Sequence, residues 1–284
     1  VNNVLPHPVT LEGEDRVTVG DVYTVQFSAT DPGDDPPIAW YMDWGDGSPV
    51  ETVDGTAWSA GHVYGRPGTY QVAVTVQNEK DPAAARTSPW IVVYAAVPYD
   101  AVQVIGALWI REGESLTLSA TAPGDVVDFA WEIDITGEFD PDFYGETVTM
   151  PWSKIQNLSV MLAQGQDEFS VRASPMYEPG VVSQVYSSGN IFIDVENSPP
   201  VAESFSNNGP IDEGTSVKVA ITGVSDPSLV DEAAGFLYSF DFGDDGSYEY
   251  ENLDVAGVAF AVDDAGVVPV RGRVADVDGG WSEY

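Results

Sequence analysis

The chain has 284 residues, with 46 Asp+Glu against 10 Lys+Arg and a formal net charge of −36, so no basic stripe for nucleic acid can be assembled. The absence of cysteine excludes disulfide scaffolds, thiolate zinc sites and cysteine nucleophiles. A hydrophobic fraction of 43% with 11% aromatic residues is too apolar for disorder, and the longest apolar run, Ile91 to Val97, falls far short of the roughly 20 residues a membrane helix needs.

In chain order, Val19-Gly20-Asp21-Val22-Tyr23-Thr24-Val25 reads as a glycine turn followed by the period-2 alternation of a half-buried strand. Trp40-Tyr41-Met42-Asp43-Trp44 is a second strand. Alternation puts Trp40, Met42 and Trp44 on one face and Asp43 on the other. The turn Gly45-Asp46-Gly47 follows, where Gly supplies positive φ and Asp tolerates it. His62-Val63-Tyr64 and Arg66 to Val76 form a third block. A last strand, Ser88 to Tyr94, precedes the joint Val97-Pro98.

The pattern then recurs. Glu112-Gly113-Glu114-Ser115-Leu116-Thr117-Leu118 repeats the turn and strand, and Trp131-Glu132-Ile133-Asp134-Ile135 leads into the turn Thr136-Gly137-Glu138. Ser153 to Leu162 is faintly ambiguous with helix, and Glu168 to Val171 is the third block. After the joint Asn197-Ser198-Pro199-Pro200 come Glu213-Gly214-Thr215-Ser216-Val217-Lys218-Val219, then Tyr238-Ser239-Phe240-Asp241-Phe242 with the turn Gly243-Asp244-Asp245-Gly246. Ala265 to Val274 is a degenerate third block.

Three copies of one unit make an all-β chain of three tandem sandwiches, with domains expected at residues 1–97, 98–198 and 199–284. The short Pro-containing joints predict a stiff, extended line. The third copy is short by most of its last strand, and Val1 to Pro6 reads like the strand end and joint at Val195 to Pro200. The segment is therefore expected to be a slice of a longer tandem polypeptide. Its open edge would be covered by continuing sequence or by a strand donated from a neighbouring chain. No signal pattern follows Val1, so an export signal is expected to be removed or to lie outside the segment.

Tyr41-Met42-Asp43-Trp44-Gly45-Asp46-Gly47-Ser48, followed by His62-x-Tyr64-x-x-Pro67-Gly68-Thr69-Tyr70-x-Val72, resembles the polycystin-type (PKD) repeat. The third copy keeps Phe240-Asp241-Phe242-Gly243-Asp244-Asp245-Gly246 without the His-x-Tyr element. The second keeps only the Glu-Gly turn and Trp131-x-x-Asp134, and reads as a divergent PKD or immunoglobulin-like sandwich. The resemblance implies seven-stranded, two-sheet sandwiches that serve as spacer or adhesive modules of bacterial and archaeal surface and secreted proteins.

Little catalytic chemistry is available. His62 lies in the repeat motif, where a hydrogen bond within the sandwich is expected, and His7 lies between two prolines. Metalloprotease and serine-hydrolase motifs are absent, and a paired-carboxylate glycosidase would need a cleft that sandwiches seldom form. Calcium is the stronger expectation, because hard cations take clustered carboxylates and turn carbonyls. The candidate ligands are Asp241, Asp244, Asp245 and Glu249 in one turn, and Asp134, Glu138 and Asp140, alternating with Asp142, in another. Asp31-Pro32-Gly33-Asp34-Asp35 is comparable. Of the tryptophans, Trp58, Trp152 and Trp281 read as loop-borne and open to sugar stacking, whereas Trp90 and Trp109 fall in strand-like runs.

The sequence thus points to an extracellular or cell-surface, non-enzymatic segment of a tandem-repeat surface, adhesin or matrix-fibre protein, stabilised by salt or calcium. Its partners would be neighbouring repeats or copies of itself, polysaccharide or the cell surface, with neither nucleic acid nor a membrane span. The other reading is an accessory region of a secreted hydrolase that binds polysaccharide or spaces a catalytic domain.

Overall fold

The computed structural model describes residues 4–33, 35–78, 85–98, 100–133, 139–157, 168–182 and 187–284. Its N-terminal strands are β1 (Val9–Gly13), β2 (Arg16–Thr18), β3 (Val22–Ala29), β4 (Pro37–Asp43), β5 (Glu51–Asp54), β6 (Ser59–Val63), β7 (Gly68–Asn78), β8 (Ala85–Thr87) and β9 (Ile91–Ala96). They form two sheets, β1-β3-β6 and β2-β9-β7-β4-β5, with β8 also pairing β7. The alternation in β3 buries Tyr23, Val25 and Phe27 and exposes Val22, Thr24, Gln26 and Ser28, as expected for a strand with one face on a core. Trp40, Met42 and Trp44 join Val72, Val74, Val76 and Val93 in that core. The rings of Phe27 and Trp40 lie 4.8 Å apart, and each such aromatic contributes about 1.5–3 kcal/mol by leaving water.

The middle strands are β10 (Gln103–Gly106), β11 (Trp109–Arg111), β12 (Leu116–Thr121), β13 (Asp128–Ile133), β14 (Phe143–Tyr144) and β15 (Thr147–Met150), then one helical turn α1 (Trp152–Ile155), β16 (Glu168–Met176) and β17 (Ile191–Glu196). Their sheets are β10-β12-β15 and β11-β17-β16-β13-β14. The helix-ambiguous stretch gives only α1, which starts after Pro151; residues 158–162 lie outside the described residues.

The last strands are β18 (Val201–Asn207), β19 (Thr215–Ser225), β20 (Leu237–Phe242), β21 (Tyr250–Leu253), β22 (Gly257–Val262), β23 (Val270–Ala275) and β24 (Trp281–Glu283), with a short helix α2 (Leu229–Ala234) between β19 and β20. Their sheets are β18-β19-β22 and β21-β20-β23-β24. Phe242 stacks on Phe260 at 4.1 Å. A Cβ at Gly272 would come within about 3 Å of Ile221 and the Phe205 ring, so a missing side chain on β23 makes room for a large one on β18.

The fold is all-β, three successive two-sheet sandwiches of immunoglobulin-like type, and among the described residues no sheet mixes strands from different sandwiches. Tertiary packing divides the chain into two compact units: residues 1–105, 119–147 and 172–190, and residues 106–118, 148–171 and 191–284. Among the described residues, no helix is long and apolar enough to cross a membrane.

The first two sandwiches share a device. A short early strand runs parallel to the last one, β2 beside β9 and β11 beside β17. The third has no such parallel pair among the described residues. Instead, Pro210, Ile211, Val217, Val267, Val268 and Val270 line a cavity of about 540 Å³.

Alternation alone does not show which second faces are covered: Asp241 is fully buried and Glu132 nearly so. Strand β13 is buried on both faces from Phe129 to Ile133, because Arg172 of β16 reaches across to Glu132. Asp241 is covered by its own hairpin.

Candidate cation site and the acidic turns

In the first acidic turn the carboxylates hold the hairpin. Asp43 Oδ1 accepts from Gly45 N–H at 3.0 Å, and Asp46 Oδ1 accepts from Ser48 N–H at 3.0 Å. The other Asp46 oxygen lies 2.8 Å from His62 Nε2. His62 stacks on Trp44 at 4.9 Å and meets Tyr64 edge-on. Tyr64 donates its hydroxyl to the Trp44 carbonyl at 3.0 Å. Burial would raise the Asp46 carboxyl, but the Ser48 hydroxyl and N–H and the His62 ring outweigh it and hold the group below its ordinary value. His62 therefore takes the structural role expected of it. Gly45 has φ +76° and sits so close to Gln71 that a Cβ would lie 2.3 Å from its carbonyl oxygen.

The third copy brings Asp241, Asp244, Asp245 and Glu249 into one hairpin. Asp241 accepts from the N–H groups of Asp245 and Gly246 at 3.3 and 2.9 Å. Glu249 accepts from Phe242 N–H at 2.7 Å, and Asp245 from Ser247 N–H at 2.9 Å. Asp244 pairs with Arg271. Each of these acids thus has a partner within the hairpin or on β23. Of the middle set, Asp134 and Glu138 lie outside the described residues. Asp140 is exposed, its N–H donating to Glu132 Oε1 at 3.3 Å, and Asp142 accepts from Ile133 N–H. Asp31 accepts from Gly33 N–H and from the Asn78 amide; Asp34 lies outside the described residues.

A different acidic group stands out. Glu112, Asp226 and Asp231 each offer a carboxylate oxygen, and these oxygens lie within 4.8 Å of one another. Glu112 sits in the turn after β11, its N–H donating to the Glu196 carbonyl at 3.0 Å. Asp226 precedes α2, whose N-cap Ser228 accepts from Asp231 N–H at 3.4 Å. This Ser-x-x-Asp start puts Asp231 in the first helical turn. Trp152 fixes the loop by donating its Nε1–H to the Pro227 carbonyl at 2.8 Å.

Asp231 is fully buried, and among the described residues neither of its carboxylate oxygens has a hydrogen-bond partner. Asp226 Oδ2 and Asn197 Oδ1 are likewise buried without partners. Asn197 donates to Asp276, itself nearly buried, at 3.1 Å. Burial pushes the Glu112 carboxyl up to about 7 against a bond from Ser198 N–H, with Asp231 and Asp226 adding to the rise. Asp226 is pushed up to about 6 by burial and by Asp231, Asp276 and Glu232, against a bond from Ser228 N–H. Asp231 is raised chiefly by burial, with Asp278 and Asp276 adding to the rise. The donor set is all oxygen, without thiolate or imidazole.

Sequence reasoning missed this group because its members are 114 and 5 residues apart along the chain. Asp226-Pro227, which matches the singled-out Asp31-Pro32, was the available signal. The tryptophans also differ from expectation: Trp152 is tied to Pro227, whereas Trp90 and Trp109 are 58% and 52% exposed, like Trp58 at 66% and Trp281 at 52%.

The family model of the PKD domain matches residues 3–92. No curated protein sequence matches the chain. Among solved structures, fibronectin(III)-like modules of CbhA from Clostridium thermocellum are 14% identical, covering 67% of this chain and 95% of theirs at a TM-score of 0.28. The PKD domain of an M14-like peptidase from a Thermoplasmatales archaeon is 23% identical over 33% of this chain and 98% of its own, with TM-score 0.27. A marsupial T cell receptor is 11% identical over the full length of both chains, with TM-score 0.29.

Proposed function

We propose that the chain is a non-enzymatic structural segment of an extracellular surface or matrix-fibre protein, a reading supported by the match of residues 3–92 to the PKD domain family. The observation that carries this reading is the use made of the recurring acidic turns. Their carboxylates accept from the backbone of their own hairpins at Gly45, Ser48, Phe242, Gly246 and Ser247, which suits a unit repeated for mechanical integrity. A high negative charge keeps such a surface soluble and non-sticky. Neighbouring repeats or copies of the chain are the partners this reading favours.

Antibodies raised against the purified chain test it on intact cells. Label on the cell surface or on extracellular fibres is expected, and label confined to the cytoplasm would overturn the proposal. The second reading, a polysaccharide-binding accessory region, draws on the four exposed indoles of Trp58, Trp90, Trp109 and Trp281. Retention on insoluble cellulose or chitin, lost in Trp→Ala variants, would favour it instead.

A further inference from the structure

A buried carboxylate without a partner is costly, and such groups are normally paired or bound to a metal. Asp231 breaks this rule with both oxygens, inside a group whose other members are also acidic. Among the described residues no Arg or Lys forms an ion pair with Glu112, Asp226 or Asp231.

The same position in the first sandwich shows that the acid is not required by the fold. Val19 N–H donates to the Ala96 carbonyl as Glu112 N–H donates to that of Glu196. There, however, the side chain is a fully buried valine packed on Gly124. The following glycines match as well: Gly20 lies against Gly124, and Gly113 against Pro227. The fold thus accepts an apolar contact at this turn. Where Asp226 and Asp231 face the turn, it carries a third carboxylate instead.

The geometry points to a structural calcium site formed by Glu112, Asp226 and Asp231, with Asn197 Oδ1 as a neutral oxygen beside it. Oxygens within 4.8 Å of each other can share one ion at the usual calcium–oxygen distance of about 2.4 Å. Carboxylates and amide oxygens suit a hard cation, and the absence of sulfur and imidazole disfavours zinc and copper. Magnesium gives up its water reluctantly, which conflicts with the complete burial of Asp231. A bound ion would tie the turn after β11 to the loop before α2 across more than 100 residues of chain. The inference does not depend on an extracellular role.

Titration calorimetry of the purified chain with calcium chloride, with thermal melts in calcium, magnesium, EGTA and sodium chloride at matched ionic strength, tests it. Binding of calcium is expected, with a melting temperature above that in magnesium or sodium. Asp231→Asn and Glu112→Gln should each weaken calcium binding by about tenfold or more. Asp231→Asn should also melt higher than wild type in EGTA, since it removes repulsion, so a folding defect would be distinguished from lost binding. Asp254→Asn, at an exposed acid elsewhere, should behave as wild type. The proposal is overturned if no calcium binds, if sodium or magnesium raises the melting temperature as much as calcium, or if Asp245→Asn loses binding while Asp231→Asn and Glu112→Gln keep it.

Discussion

Val19 and Glu112 occupy the same place in successive sandwiches: each donates its N–H, at 3.0 Å, to the carbonyl of the residue that ends the neighbouring parallel strand, Ala96 or Glu196. One side chain is apolar and closes a core with Tyr64 and Tyr177. The other is a carboxylate beside two more. One backbone device therefore carries two kinds of junction.

Exchange at this place should be asymmetric. Val19→Glu puts an unpaired carboxylate into an apolar pocket beside Gly124, and should cost on the order of 3 kcal/mol. Added calcium should not restore it, because Val19 packs in an apolar core with Tyr64 and Tyr177. Urea unfolding with and without calcium measures both effects, and full rescue by calcium would refute the contrast.

Gly45→Ala should destabilise by about 2–4 kcal/mol. The residue has φ +76°, and a Cβ would meet the Gln71 backbone, so conformational strain and a clash with an immovable neighbour act together. Gly47→Ala provides the comparison: its φ is +85° with open space around the missing Cβ, so only the strain remains and a smaller loss is expected. Equal losses would show that the close approach to Gln71 costs nothing.

Asp46 predicts an acid dependence. Its carboxyl is held below the ordinary value in the folded state, so its contribution is present above the unfolded value of about 3.9. The contribution disappears as pH falls through the folded value. Asp46→Asn should thus lose less stability than wild type between about pH 5 and pH 2, as followed by melting temperature. Parallel curves would remove Asp46 from the acid response.

The buried pair of Arg172 and Glu132 should be strongly coupled. Arg172→Ala leaves Glu132, whose side chain is 5% exposed, without its cation, and should cost about 3–5 kcal/mol. The double variant Glu132→Leu with Arg172→Met should lose less than the sum of its single changes. Additive losses in a double-mutant cycle would show that the pair is not coupled.

Local pattern was enough to read most of the β architecture. Strands β3, β4, β7, β12, β13, β19, β20 and β23 coincide with stretches of alternation or recurring blocks. Period-2 burial is written in neighbouring residues, and the glycine turns mark where strands end. The structural role of His62 was also legible, because the Gly-Asp-Gly turn and the His-x-Tyr strand form a fixed motif. Helix α2 was not, since Leu229–Ala234 is too short to develop a 3.6 period and depends on the Ser228 cap. Tertiary structure alone decided which acids are satisfied. Asp241 and Asp231 are both fully buried aspartates, but the first is enclosed by N–H groups four and five residues on, and the second faces the carboxylates of Asp226 in the adjoining loop and of Glu112 in a distant turn. Whether a charge is satisfied depends on which backbone groups and charges surround it in space, and spacing along a sequence does not encode that when the neighbours come from different strands and loops.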